Sequence, residues 1–90
     1  MKITSRAVAG TLESNDVLVT VSPGAKGLEV AVDSIVLNQF EAQIRQAVTD
    51  TAREMGVEQA RIELNDRGAL ECTIKARVET ALRRAGEAAV

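Results

Sequence analysis

A change of period limits the fold of this chain more than anything else in it. From Asp16 to Ser22, Val17, Val19 and Val21 fall on one side and Leu18, Thr20 and Ser22 on the other, the two-residue repeat of a β-strand. Leu28, Val30 and Val32 resume that alternation against Glu29, Ala31 and Asp33. Beyond Ser34 the spacing lengthens to three and four, through Leu37, Phe40, Ile44, Ala47 or Val48, Thr51 and Met55, which is the stripe of an amphipathic helix. A short chain with both periods must lay its helical stripe on one face of a sheet. The segment Ser22-Pro23-Gly24-Ala25-Lys26-Gly27 breaks the first strand run from the second, so the two runs are expected to pair as a β-hairpin.

The remaining elements follow from the same signals. Ser34 suits an N-cap, its hydroxyl accepting the N–H of Leu37 or Val36, and Gly56 suits a left-handed C-terminal position, so the first helix is expected from about Ile35 to Met55. Leu37, Phe40, Ile44 and Val48 are expected to form its seam over the sheet. Ala60, Ile62 and Leu64 alternate with Arg61 and Glu63 as a further strand, closed by the turn Asn65-Asp66-Arg67-Gly68. Leu70, Ile74, Val78, Ala81 and Leu82 return to helical spacing, which predicts a second helix from about Ala69 to Ala85; a strand over Leu70–Ile74 stays open as an alternative. Residues 2–9 carry a weaker strand pattern, interrupted by Lys2 and Arg6, and the end from Glu87 to Val90 is expected to fray. The fold class is therefore α+β: a small open sandwich in which a mainly antiparallel sheet of three to four strands is covered on one face by two helices.

Ninety residues make one domain, 1–90, too small for an enclosed substrate chamber. The core must be aliphatic, since Phe40 is the only aromatic residue. A formal charge of −2, with acids and bases interspersed, gives no footprint for nucleic acid or an anionic membrane surface. No apolar run is long enough to span a bilayer and no basic-then-apolar leader opens the sequence, so a cytoplasmic location is expected. The single Cys72 cannot form an internal disulfide, and without histidine it cannot build a metal site; it reads as a small buried hydrophobe on a helix. The absence of histidine also rules out a Ser-His pair. Glu13, Asp16 and Asp33 have no spacing that selects them as an acid/base pair and read as solvated surface. The dispersed arginines read as solubilising, although a planar guanidinium also matches phosphate geometry.

One polar stretch stands apart from this scaffold. Ala9-Gly10-Thr11-Leu12-Glu13-Ser14-Asn15-Asp16 is a turn ahead of the first clear strand, in which Gly10 permits backbone angles other residues avoid and Asn15 and Asp16 favour turns. Ser14 at its centre is expected to be exposed, and nothing nearby activates it. By residue type alone it is a solvated turn serine. The run from Ala7 to Val17, Ala-Val-Ala-Gly-Thr-Leu-Glu-Ser-Asn-Asp-Val, resembles the N-terminal signature of the acyl carrier (gamma) subunits of citrate lyase. Asn65-Asp66-Arg67-Gly68-Ala69-Leu70-Glu71-Cys72, with Ala76-Arg77-Val78-Glu79, is similar to their C-terminal one. With similar length, the likeness spans nearly the whole chain, although this chain stops at Val90 where some members carry a longer tail.

The resemblance implies that Ser14 is a covalent attachment point rather than a nucleophile. The group implied is 2'-(5''-triphosphoribosyl)-3'-dephospho-CoA, joined through a phosphodiester. Its thiol would hold acetyl and then citryl thioesters while citrate is cleaved to acetate and oxaloacetate. The chain itself would be a non-catalytic carrier subunit. The partners implied are the transferase (alpha) and lyase (beta) subunits of one complex and a separate loading enzyme. The carrier subunit of malonate decarboxylase is the near alternative, and a non-catalytic protein-interaction module with an unmodified serine is the distant one. A rival serine is Ser34, because Asp33-Ser34-Ile35 is similar to the Asp-Ser-Leu of ordinary acyl carrier proteins. Those are helical bundles, however, and here two alternating β-runs precede the motif, so Ser34 reads as a helix cap.

Overall fold

The computed structural model describes residues 1–35 and 40–86. Its elements are β1 (Ala7–Gly10), β2 (Val17–Ser22), β3 (Leu28–Ser34), α1 (Glu41–Glu54), β4 (Ala60–Asp66) and α2 (Glu71–Ala85). The four strands form one open sheet in the order β1-β2-β4-β3. β1 and β4 both run antiparallel to β2, with Ala9 opposite Val19 and Val19 opposite Leu64, whereas β3 and β4 are parallel, with Val30 opposite Ile62. The sheet is thus mixed and mainly antiparallel, and helices cover one face of it, as the two periods require.

The pairing of the strands corrects the expected hairpin. β2 and β3 are not neighbours, because β4 lies between them and bonds to both. Alternation fixes which face of a strand is buried and says nothing about its neighbour. The neighbour is set by the connection: β3 runs into β4 through α1, and a helical crossover of this length delivers a parallel partner. The actual hairpin is β1–β2, so the short polar stretch around Ser14 joins two paired strands. The weak pattern over residues 2–9 yields β1 and an isolated bridge between Ile3 and Gly86.

The core is aliphatic, as the composition demands. Val17, Val19 and Val21 from β2 and Ala60, Ile62 and Leu64 from β4 face Ile44, Val48 and Ala52 of α1 and Ile74, Val78, Ala81 and Leu82 of α2. The other face of the sheet is open and polar, with Arg61 paired to Glu29 and Glu63. Arg45 of α1 donates to the Val30 carbonyl of β3 and pairs with Glu41, which ties the first helix to its edge strand.

Three local expectations change. Phe40 is exposed, at 44% of its surface, because it is the N-cap residue of α1 and lies beyond the packed turns; its ring lines a groove with Leu70 and Ile74. Ile44 and Val48 are seam residues as expected, while Leu37 lies outside the described residues. Cys72 sits on α2 but is exposed, since the buried stripe of that helix starts at Ile74, two residues further round. Ser34 is the last residue of β3, Ile35 is a bend, and α1 begins at Glu41 rather than about Ile35. The cap bond from Ser34 to Val36 or Leu37 and the fraying of residues 87–90 lie outside the described residues. Leu70–Ile74 resolves as the start of α2, with Leu70 as its N-cap residue, and not as a strand.

Candidate functional site

The link from β1 to β2 is built to hold Ser14 outward. The Asp16 N–H donates to the Glu13 carbonyl at 3.2 Å, closing a four-residue turn with Ser14 second and Asn15 third. Asn15 has φ 66°, the left-handed value that the third place of such a turn needs and that asparagine tolerates. The Asn15 N–H donates to the Arg67 carbonyl at 2.8 Å, and the Arg67 N–H donates to the Asp16 carbonyl at 2.9 Å. Two residues of the turn thus oppose one residue beyond β4, a β-bulge with Asn15 in the place glycine usually takes. A bulge aims the neighbouring side chain and fixes the register. Ser14 is exposed, and its hydroxyl has no partner among the described residues.

Asp16 clamps the turn from behind. Its carboxylate accepts the Thr11 hydroxyl at 2.7 Å, the Val17 N–H at 2.8 Å, and both Nε and Nη2 of Arg77, at 3.1 and 3.0 Å. The Thr11 hydroxyl also accepts the Glu13 N–H at 3.2 Å. The Thr11 hydrogen bond, with those from Arg77 and Val17 behind it, holds the Asp16 carboxyl down at about 2 against an ordinary 3.8. Asp16 is therefore a structural anion, with 15% of its side chain exposed, and not the solvated acid its residue type suggests. Glu13 and Asp33 are exposed. Gly10 makes this clamp possible: at φ 93°, a Cβ here would lie 1.8 Å from the Val17 carbonyl oxygen and 3.3 Å from Cδ of Arg77. Arg77 reaches Asp16 from α2 across the space a side chain would fill.

Ser34, the rival hydroxyl, is engaged inward. Its Oγ donates to Oδ2 of Asp66 at 2.8 Å, and Oδ1 of the same carboxylate accepts the Ala69 N–H at 2.9 Å. Asp66 is 1% exposed. The bond from Ser34 helps satisfy a carboxylate that closes the turn from β4 into α2.

Residue reading alone missed the Asp16–Arg77 pair. Each residue belongs to one of the two signature segments, but 61 positions separate them, and only the packing of α2 on the first hairpin brings them together.

Among the described residues there is no cluster of three or more side chains able to hold a metal, and no helix long and apolar enough to cross a membrane. The fold is thus a small α+β sandwich with an exposed serine at a pinned turn, an arrangement compatible with a carrier-type domain. The acyl carrier family model described as malonate decarboxylase delta subunit (MdcD) matches residues 4–85. The citrate lyase acyl carrier protein of Treponema denticola is 54% identical over 97% of this chain and 99% of its own length. That of Streptococcus mutans is 47% identical over 100% of this chain and 89% of its own. A chain in the crystal structure of a Pseudomonas malonate decarboxylase hetero-tetramer with malonate superposes with a TM-score of 0.77 at 25% identity, over 91% of this chain and 84% of that one. The chain belongs to this acyl carrier protein family. Carriers of this kind hold a covalently attached prosthetic group and work within multi-subunit complexes.

Proposed function

We propose that this chain is the acyl carrier subunit of a citrate lyase and that it carries 2'-(5''-triphosphoribosyl)-3'-dephospho-CoA on Ser14. The observation that carries the reading is the serine turn itself: an exposed hydroxyl with no hydrogen bond among the described residues, at the corner of a turn held by the backbone bonds of Asn15, Asp16 and Arg67. The curated citrate lyase carriers, at 46–54% identity, support the choice of complex. The residues fit the group, because a loading enzyme needs an accessible hydroxyl and several residues of reachable backbone, and residues 11–15 supply both.

When bound, the group supplies a thiol that carries an acyl unit as a thioester. The chain's own part is mechanical. The Asp16–Arg77 clamp and the Asn15–Arg67 rung hold the turn from which the arm would start in one orientation. A tether of this kind raises the local concentration of the acyl unit at each partner active site far above its bulk value. The carrier performs no bond cleavage; that belongs to the transferase and lyase subunits, and the attachment belongs to a separate loading enzyme, all in the cytoplasm.

Intact mass of the protein taken from its own cells tests the reading, followed by mapping of the modified peptide. The expected result is one added group on the peptide containing Ser14. An unmodified mass would leave an interaction module as the better account. The family model and the Pseudomonas structure give the malonate decarboxylase carrier as the second reading, with the same fold and serine. Co-purification separates the two, since a citrate lyase carrier elutes with citrate-cleaving activity.

A further inference from the structure

An open sheet can add a strand at either edge unless something covers it, and the two edges of this sheet are covered differently. β1 is four residues long and lies along the end of α2. The Thr4 and Ser5 N–H groups donate to the Ala85 carbonyl at 3.0 and 3.2 Å, Ile3 bridges to Gly86, and Arg84 donates to the Val8 carbonyl at 2.9 Å. β3 is seven residues long. The Gly27 carbonyl accepts the Ala60 N–H and the Ile35 N–H donates to the Asp66 carbonyl, so both residues turn their backbone toward β4. Backbone direction alternates along a strand, which turns the N–H and C=O of Leu28, Val30 and Val32 to the open edge. Of these groups, only the Val30 carbonyl has a bond among the described residues, from Nη1 of Arg45.

This edge is complementary to itself. Two β3 strands running antiparallel about a two-fold axis, with Val30 opposite itself, set Leu28 opposite Val32 as a hydrogen-bonded pair and Glu29 opposite Ala31. On the helix side, half-buried Leu28, Val30 and Val32 already pack against the core and would gain cover; on the other side no like charges meet. Sliding the partner by two residues in either direction opposes Glu29 to Asp33 or Glu29 to itself. The favoured register is therefore centred on the carbonyl that Arg45 holds.

We propose that Arg45 closes the β3 edge to a second copy of this chain, its guanidinium seated on the Val30 carbonyl at the centre of the register in which two β3 strands would pair. Glu41, 3.1 Å from Nη2, holds the guanidinium there from the preceding turn of α1. An exposed ion pair of this kind adds little stability. The block comes from occupancy: a charged group stands where the partner's backbone must come, and it fills the acceptor that the central hydrogen bond needs. The device keeps the chain a monomer.

The test is sedimentation velocity and amide hydrogen exchange on the full chain, with Arg45→Ala and with Arg45→Met, which keeps a long stem but has no donor. The native chain should sediment as a monomer, with fast exchange at the Leu28, Val30 and Val32 N–H groups. Both variants should keep the native circular dichroism and self-associate at least about tenfold more tightly, the scale of one lost hydrogen bond to a charged group. Exchange at those N–H groups should then slow as concentration rises. Arg84→Ala should stay a monomer, because the end of α2 still lines β1. Arg45 variants that fold and remain monomeric, or that pair without protection from Leu28 to Val32, overturn the proposal. So does a native chain already paired through β3, since Arg45 would then exclude nothing. Loss of the native spectrum in both variants would make Arg45 a packing residue and overturn it too.

Discussion

The end of β4 separates two serines that the sequence leaves hard to rank. Ser34 lies on one side, directly opposite Asp66, and donates a hydrogen bond to that buried carboxylate. Ser14 lies on the other, beyond the rung to Arg67, and its hydroxyl is left outward. Both are small hydroxyl residues at or near the end of a strand, Ser34 closing β3 and Ser14 shortly ahead of β2. What distinguishes them is where the neighbouring anion sits. Asp66 points inward and draws in the hydroxyl beside it, whereas Asp16 takes Thr11 and Arg77 and leaves Ser14 alone. A hydroxyl becomes presentable when its neighbours' needs are met by other groups.

The sharpest way to break this contrast is Ser14→Ala. It should abolish the added mass and the citrate-cleaving activity of the complex, with less than about 0.5 kcal/mol change in stability, because it removes an exposed hydroxyl from a turn. A variant that still gains the mass would reverse the roles of the two serines. Next in size is Gly10→Ala, which forces a Cβ onto the Val17 carbonyl in a left-handed conformation. It should cost on the order of 3 kcal/mol in a urea titration, and it should loosen the turn and slow loading. Unchanged stability would mean that the clamp is not what shapes the site.

Ser34→Ala should act on the other side of the contrast. It removes a donor from a carboxylate 1% exposed, so a loss of about 1–2 kcal/mol is expected with full retention of the added mass. The smallest effect concerns pH. The Asp16 carboxyl is lowered in the fold from 3.8 to about 2, so its contribution is whole above about 3.8 and disappears as pH falls through about 2. Melting temperatures of native protein and Asp16→Asn should therefore differ by a constant amount at neutral pH and converge over that acid window. Parallel curves down to pH 2 would show the Asp16 bonds to be unimportant in solution.

Much of this architecture was legible before any coordinates. The faces of β2 and β4 followed from alternation, and the seam residues Ile44, Val48, Ile74 and Val78 from helical spacing, because burial on one side imposes a period directly on the residues. The order of the strands did not follow, since Val30 reads the same whether it lies beside Val19 or Ile62. Phe40 and Cys72 lie outside the core for a related reason: composition ranks residues by type, but exposure depends on where a helix begins to pack. The exposed Ser14 was legible from turn chemistry. The role proposed for it rests on the resemblance to a family, and the rung from Arg67 and the clamp from Arg77 needed the fold.

The strand order also sets a sequence of events in time. The β1–β2 hairpin needs only local residues, but β3 bonds to nothing in the sheet except β4, which is made after α1. The sheet therefore cannot close until most of the chain exists, and contacts of such long range form late and slowly. The rung that fixes Asn15 comes from Arg67, at the far edge of that last strand. The turn that holds Ser14 therefore takes its fixed form only after nearly the whole sheet is in place, one of the last corners of the molecule to set although it stands near the start of the chain.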